Sequence, residues 1–234
     1  MSNYDRDFYE PLVEGAEQSA EVVVPIVLEL VPVTSVCDVG CGTGIWLDEF
    51  RHHGITDIRG YDGDYVPRDL LRIPPDRFFP IDLTQPLDAG RTFDLAVSLE
   101  VAEHLPPESA ASFVKGLTRL SPIVLFSAAI PNQGGTEHLN ERWQDYWAEV
   151  FLAHGYRSID AIRWRIRDND DVELWYRQNM FLCVSEAVVG KYPKLTAPVP
   201  VESLPRSVIH PRAWEPAPPR PAGERRTKRR TGSS

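Results

Sequence analysis

Between residues 98 and 106 the chain reads SLEVAEHLP, so Glu100, Glu103 and His104 follow directly on the apolar run FDLAVSL. Two carboxylates and an imidazole can hold a divalent cation, move a proton, or simply cap and brace a helix. If the segment is helical, positions 100, 103 and 104 share one face and the three polar groups converge. A further imidazole, His138, comes later in AIPNQGGTEHLNERW (129–143). Upstream, VCDVGCGTG places Gly40, Gly42 and Gly44 after a short apolar run that contains Asp38. Glycines so spaced let the backbone approach a ligand closely and lead into the positive end of a helix. The spacing is GxGxG: it is not the GxGxxG of dinucleotide-binding loops, and it lacks the GK[ST] ending of a phosphate loop. Asp38 is suited to a ligand's ammonium group. Asp62, in GYDGD, suits hydroxyls, and Asp82, in FFPIDLT, suits an exocyclic amine with Leu83 packed beside it.

These residues need a scaffold, and the chain supplies an alternating one. Apolar runs at 35–39, 57–62, 77–82, 93–99 and 121–129 read as strands. Residues 9–31, interrupted near Pro25, read as helix, as do 45–54, 106–120 and 140–156. Two later β-prone stretches, 159–167 and 179–186, close the folded part. This order predicts an α/β fold: a doubly wound, mostly parallel sheet with helices on both faces and one antiparallel strand. In such sheets ligands bind beyond the carboxyl ends of the strands, where every residue named above falls. Trp147 and Phe151 read as core, as does Trp164, and the run WYRQN (175–179) as packing or pocket lining.

Composition narrows the class. The chain has 234 residues, 42% of them apolar, and a formal charge of −9. The last 19 residues, PAPPRPAGERRTKRRTGSS, carry +5, leaving −14 on residues 1–215. An acidic body of this kind repels nucleic acid and anionic membrane. Three cysteines without a CxxC pair, no secretory leader and no apolar stretch long enough to span a bilayer point to a cytoplasmic protein with reduced thiols. The expected organisation is an N-terminal helical lid over 1–34, the α/β domain over 35–190, an extension over 191–215 and a disordered basic tail over 216–234. The oligomeric state is left open, a homodimer included.

Taken in order, VCDVGCGTG, GYDGD, FFPIDLT and FDLAVSLEVAEHL resemble the successive motifs of the class I S-adenosylmethionine-dependent methyltransferases. The resemblance covers roughly residues 8–186 and is strongest in the first half. It implies a Rossmann-like seven-stranded sheet with the last strand antiparallel, and S-adenosylmethionine as cofactor. Gly40, Gly42 and Gly44 would cradle its methionine part with Asp38 near the ammonium. Asp62 would hold the ribose, and Asp82 and Leu83 the adenine. Ser98 and Leu99 would lie near the sulfonium. HLNERW and the early FY…S segment are similar to a group of stand-alone bacterial methyltransferases. This adds Tyr9 on the cofactor side, with His138, Asn140, Glu141 and Trp143 lining the site. The EVxEH segment with a later His also resembles the metal set of small-RNA 3′-end 2′-O-methyltransferases, which would make Glu100, Glu103, His104 and His138 ligands of a divalent ion. Without a metal, His138, His104 and Glu103 are the catalytic candidates, as base and partners in O-methylation of a small hydroxyl-bearing acceptor, a sugar or secondary metabolite. A fold relative that uses S-adenosylmethionine for another reaction and a non-catalytic module that only binds the nucleotide are the remaining alternatives.

Overall fold

The computed structural model describes residues 6–196 and 207–210, with side chains described from Glu14 to Leu195 and again over 207–210. The basic tail, most of the 191–215 extension and the side chain of Tyr9 lie outside the described residues. The chain opens with helix α1 (Arg6–Leu30), which runs without a break through Pro25 where the sequence suggested an interruption. Pro25 sits on the exposed face, so the helix carbonyl that it leaves without a donor is open to water. Val23, Val24, Val27 and Leu30 hold the other face in the core.

Strands β1 (Ser35–Val39), β2 (Asp57–Asp62), β3 (Phe78–Pro80), β4 (Leu95–Leu99), β5 (Ile123–Ser127), β6 (Tyr156–Ile159) and β7 (Phe181–Ser185) form one sheet in the order β3-β2-β1-β4-β5-β7-β6. All pairings are parallel except those of β7, which runs antiparallel to both β5 and β6. The order reverses at β1, with β2 on one side and β4 on the other, which puts the switch point directly above the glycine loop.

The central strands are buried on both faces, as their unbroken apolar runs required. On one face Val36, Leu95, Val97 and Leu125 meet α1, α2 (Ile45–His52) and the later short helices. On the other, Cys37, Ala96, Val124 and Phe126 meet α3 (Ala110–Leu120) and α4 (Gln144–Leu152), with Trp147 and Phe151 as the largest packed side chains. All three cysteines are free and buried.

The stretch expected as a strand over 159–167 differs. It ends β6 at Ile159 and turns into a short helix, α5 (Arg163–Ile166), followed by α6 (Leu174–Asn179). Trp164, expected in the core, is 52% exposed. No helix among the described residues is long and apolar enough to cross a membrane.

Candidate active site

A cleft of about 940 Å³ opens beyond the carboxyl ends of β1, β2 and β4. Its first wall is the glycine loop. Gly40, Gly42 and Gly44 have φ of 83°, 52° and 87°, a left-handed path that other residues rarely follow. Gly40 N–H donates to the Tyr61 carbonyl (2.7 Å), tying the loop to the end of β2. Asp62 clamps the loop from the other side. Its carboxylate accepts from Gly42 N–H (2.7 Å), Gly63 N–H (2.6 Å) and the Tyr65 hydroxyl (2.8 Å). Tyr65 is a site residue that composition did not single out.

Asp38 is almost completely buried beside this clamp. Burial, then the charge of Asp62, push its carboxyl well above the usual carboxylate range. No Lys or Arg among the described residues forms an ion pair with it. Asp82 stands exposed at the rim, where it accepts from Thr84 N–H (2.9 Å) and the Thr84 hydroxyl (2.6 Å), and Leu83 lines the cleft next to it. Leu99 forms part of the floor, whereas Ser98 is fully buried behind it, outside the lining. Trp175 and Tyr176, from α6, supply the opposite apolar wall, with Tyr176 edge-on to Trp46 at 5.1 Å.

The SLEVAEHL segment is not the helix face that spacing suggested. Glu100 leaves β4 with φ 53°, and only Ala102–His104 form a turn of 3-10 helix. The bend leaves Glu103 and His104 together and turns Glu100 out of their group. Glu100 swings toward Gln133 and Asn179, which donate to its carboxylate at 2.8 and 3.1 Å. Burial raises its carboxyl, and these hydrogen bonds partly offset the rise. Glu103 is fully buried; neither carboxyl oxygen makes a well-aligned hydrogen bond among the described residues, and the Ala129 N–H and the Glu100 carboxyl are its polar neighbours. Burial, then the charge of Glu100, push it well above the usual range.

The loop after β5 brings His138 to this point. Leu139 and Asn140 N–H both donate to the Glu103 carbonyl, at 2.7 and 2.9 Å, fixing the loop against the turn. The rings of His104 and His138 meet edge-on with centroids 4.9 Å apart. Glu103, His104 and His138 each present a ligating atom, and these atoms lie within 4.8 Å of one another. Glu100 is outside this group, so of the four expected ligands three converge. Burial, then the neighbouring His138, push His104 below its ordinary value, so it is neutral at pH 7.

Glu141 braces the loop rather than lining the cleft. It accepts from His138 Nδ1 (3.0 Å), Asn132 N–H (2.7 Å) and Gly134 N–H (3.2 Å). Burial pushes its carboxyl up, but these bonds outweigh it and leave it below the usual value. Asn140 is buried and holds the Arg142 guanidinium (2.9 Å), and neither it nor Trp143 reaches the cleft.

The sequence matches a methyltransferase-domain family over residues 14–170, more than half of the chain. No curated protein matches it. Its fold is similar to that of DesVI from Streptomyces venezuelae, with 16% identity, TM-score 0.55, and coverage of 76% of this chain and 95% of that one. It is likewise similar to the sugar N-methyltransferase KedS8 from a Streptoalloteichus species, with 17% identity, TM-score 0.57, and coverage of 79% and 96%. The methyltransferase domain of a bacterial Hen1 shares 21% identity with TM-score 0.52, over 72% of this chain and 99% of that one. The sheet order, the glycine loop at its switch point and the family match agree: the chain belongs to the methyltransferase-domain family and is an S-adenosylmethionine-dependent methyltransferase.

Proposed function

We propose that this enzyme methylates a hydroxyl oxygen of a small acceptor, a sugar or secondary metabolite, with His138 as general base. One observation carries this reading: the 3.0 Å contact between His138 Nδ1 and Glu141 Oε1. A carboxylate held below its usual value can only accept, so Nδ1 bears the hydrogen, and in the neutral ring Nε2 presents its lone pair. That nitrogen packs against Gly135, where an added Cβ would lie 2.2 Å away, so a larger residue there would displace the ring.

The cofactor half fits its ligand. A buried Asp38 with no cationic partner among the described residues suits the ammonium of the methionine part, and Asp62 retains acceptor capacity for ribose hydroxyls. Asp82 with Leu83 would take the adenine at the rim, and Leu99 the methionine side. When bound, S-adenosylmethionine supplies a methyl group whose bond to a positively charged sulfur breaks with its electron pair going to sulfur. The acceptor oxygen forms the new bond to that methyl, and its proton passes to His138 Nε2. An alcohol is too weak a nucleophile at neutral pH without this help, which is worth roughly 10²–10⁴ in rate. Holding oxygen and methyl in line contributes the rest.

A divalent ion is the second reading, and the convergence of a Glu103 oxygen with two imidazole nitrogens within 4.8 Å favours it. Glu103, His104 and His138 would hold such an ion, which would lower the pKa of an acceptor hydroxyl bound to it. His138→Ala tests the first reading. S-adenosylhomocysteine release across a panel of hydroxylated acceptors should fall about 100-fold or more, with cofactor affinity within twofold of wild type. Equal loss of both would make His138 structural. Activity abolished by chelation and restored by one divalent ion would select the second reading.

A further inference from the structure

We infer that Tyr65 competes with the cofactor's ribose: its hydroxyl holds the acceptor on Asp62 that a ribose hydroxyl must take, and the side chain turns out when the cofactor binds. This rests on the proposed placement of the ribose on Asp62 and specifies how that contact is made.

Each carboxylate oxygen offers two lone pairs. Asp62 Oδ1 accepts from Gly63 N–H (2.6 Å) and from the Tyr65 hydroxyl (2.8 Å), so it is full. Oδ2 accepts from Gly42 N–H (2.7 Å) and has one lone pair left. A ribose diol brings two donors on neighbouring carbons, and a carboxylate meets such a pair as it meets a guanidinium fork, with one bond to each oxygen. One donor must therefore leave Oδ1.

Which donor leaves follows from what holds each. The Gly63 amide is fixed from both sides: Ile81 N–H donates to the Asp62 carbonyl (2.7 Å), and Val66 N–H to the Gly63 carbonyl (3.3 Å). Tyr65 instead lines the cleft and is 45% exposed, and rotation about its own side-chain bonds carries the hydroxyl off Asp62 while the backbone stays. Its ring rests on Gly63, where an added Cβ would lie 2.0 Å from Tyr65 Cε1, so the seat exists because residue 63 has no side chain. Asp62 is buried, which raises its carboxyl, and its three hydrogen bonds partly offset the rise. Exchanging a phenol for a ribose hydroxyl keeps this buried group matched throughout. The apparent cofactor affinity is then lowered by the fraction of chains in which Tyr65 is turned out.

The test is Tyr65→Phe in the full chain, which keeps the ring and removes only the hydroxyl. Calorimetry at about pH 8, where carboxylates are ionised, measures S-adenosylhomocysteine binding. The variant should bind roughly threefold to tenfold tighter than wild type, as expected for deleting one competing hydrogen bond whose donor returns to water. S-adenosylhomocysteine should also raise the variant's Tm by more than it raises that of wild type. Adenosine and 2′,3′-dideoxyadenosine, titrated by NMR, locate the effect: adenosine should gain by the same factor and the dideoxy compound should gain nothing. Unchanged or weaker S-adenosylhomocysteine binding in Tyr65→Phe overturns the inference, as does an equal gain for both nucleosides. Asp62→Asn checks the reading beneath, and should weaken S-adenosylhomocysteine binding at least about tenfold. If it does not, the ribose assignment falls, and a wild-type chain that fails to bind S-adenosylhomocysteine overturns the cofactor assignment itself.

Discussion

Gly40→Ala probes how the cofactor loop and the acidic turn are joined, because one contact connects them. An added Cβ at Gly40 would lie 2.3 Å from Val101 Cγ2 and 2.8 Å from Val101 Cγ1. Val101 stands between Glu100 and Glu103 and is buried, so it cannot yield freely. Two costs follow. A residue other than glycine at φ 83° costs about 1–2 kcal/mol. Forcing a methyl group into packed space costs about 1–3 kcal/mol. Gly40→Ala should therefore destabilise the fold by about 2–5 kcal/mol, each kcal/mol lowering Tm by roughly 2–4 °C in a chain of this size. Val101→Ala alone, removing two buried methyl groups, should cost about 2 kcal/mol. In the double variant the clash is gone while the backbone cost remains, so its loss should fall short of the sum by about 1–3 kcal/mol. Urea denaturation of the four proteins measures that coupling, and S-adenosylhomocysteine affinity should follow it. If the two changes add to within about 0.5 kcal/mol, the loop and the turn are independent and the contact carries no energy.

Two further expectations test the frame around the site. Asp94 accepts from Thr34 N–H, the Thr34 hydroxyl and Ser35 N–H at 2.8, 2.7 and 3.1 Å, fixing the start of β1. Burial alone would raise its carboxyl, but these bonds prevail and hold it below the usual value. Its contribution is then fully present above the unfolded pKa, about 4, and is lost as pH falls through the lower folded value. Asp94→Ala should cost about 1.5–3 kcal/mol at pH 7 and progressively less below about pH 4; a loss in urea unfolding that does not change with pH would refute the assignment. Pro25→Ala should stabilise the chain by about 1–3 kcal/mol, since a helix interior penalises proline and this one is exposed. A drop in Tm would show that the ring has a packing role.

The glycine-loop side of the cleft was legible because its geometry is set where its residues stand in the chain. A glycine after a strand end needs only its own φ, and Asp38, Asp62 and Asp82 stand within one or two residues of the ends of β1, β2 and β3. The Glu100–His104 side was legible in residue type and not in geometry. Glu100, Glu103 and His104 look like one helix face until Glu100 takes φ 53°, and what holds it there, Gln133 and Asn179, lies 33 and 79 positions away. Glu141 was equally opaque, because two of its three donors are backbone amides of a loop that has no fixed form on its own.

The misread strand over 159–167 shows the same principle at work in the fold. Ile162, Trp164 and Ile166 alternate as a strand would, but Ile162 and Ile166 are fully buried while Trp164 faces water, a helical repeat of four. The deciding partner is Arg163, buried against Asp160 at 2.5 Å and the Gln178 carbonyl at 3.1 Å. A strand would leave that charge without both partners, and an uncompensated buried guanidinium costs more than the β-preference of four residues can return. The same turn lets α6 swing Trp175 and Tyr176 into the cleft. That apolar wall of the cleft therefore depends on one buried ion pair that local periodicity does not reveal.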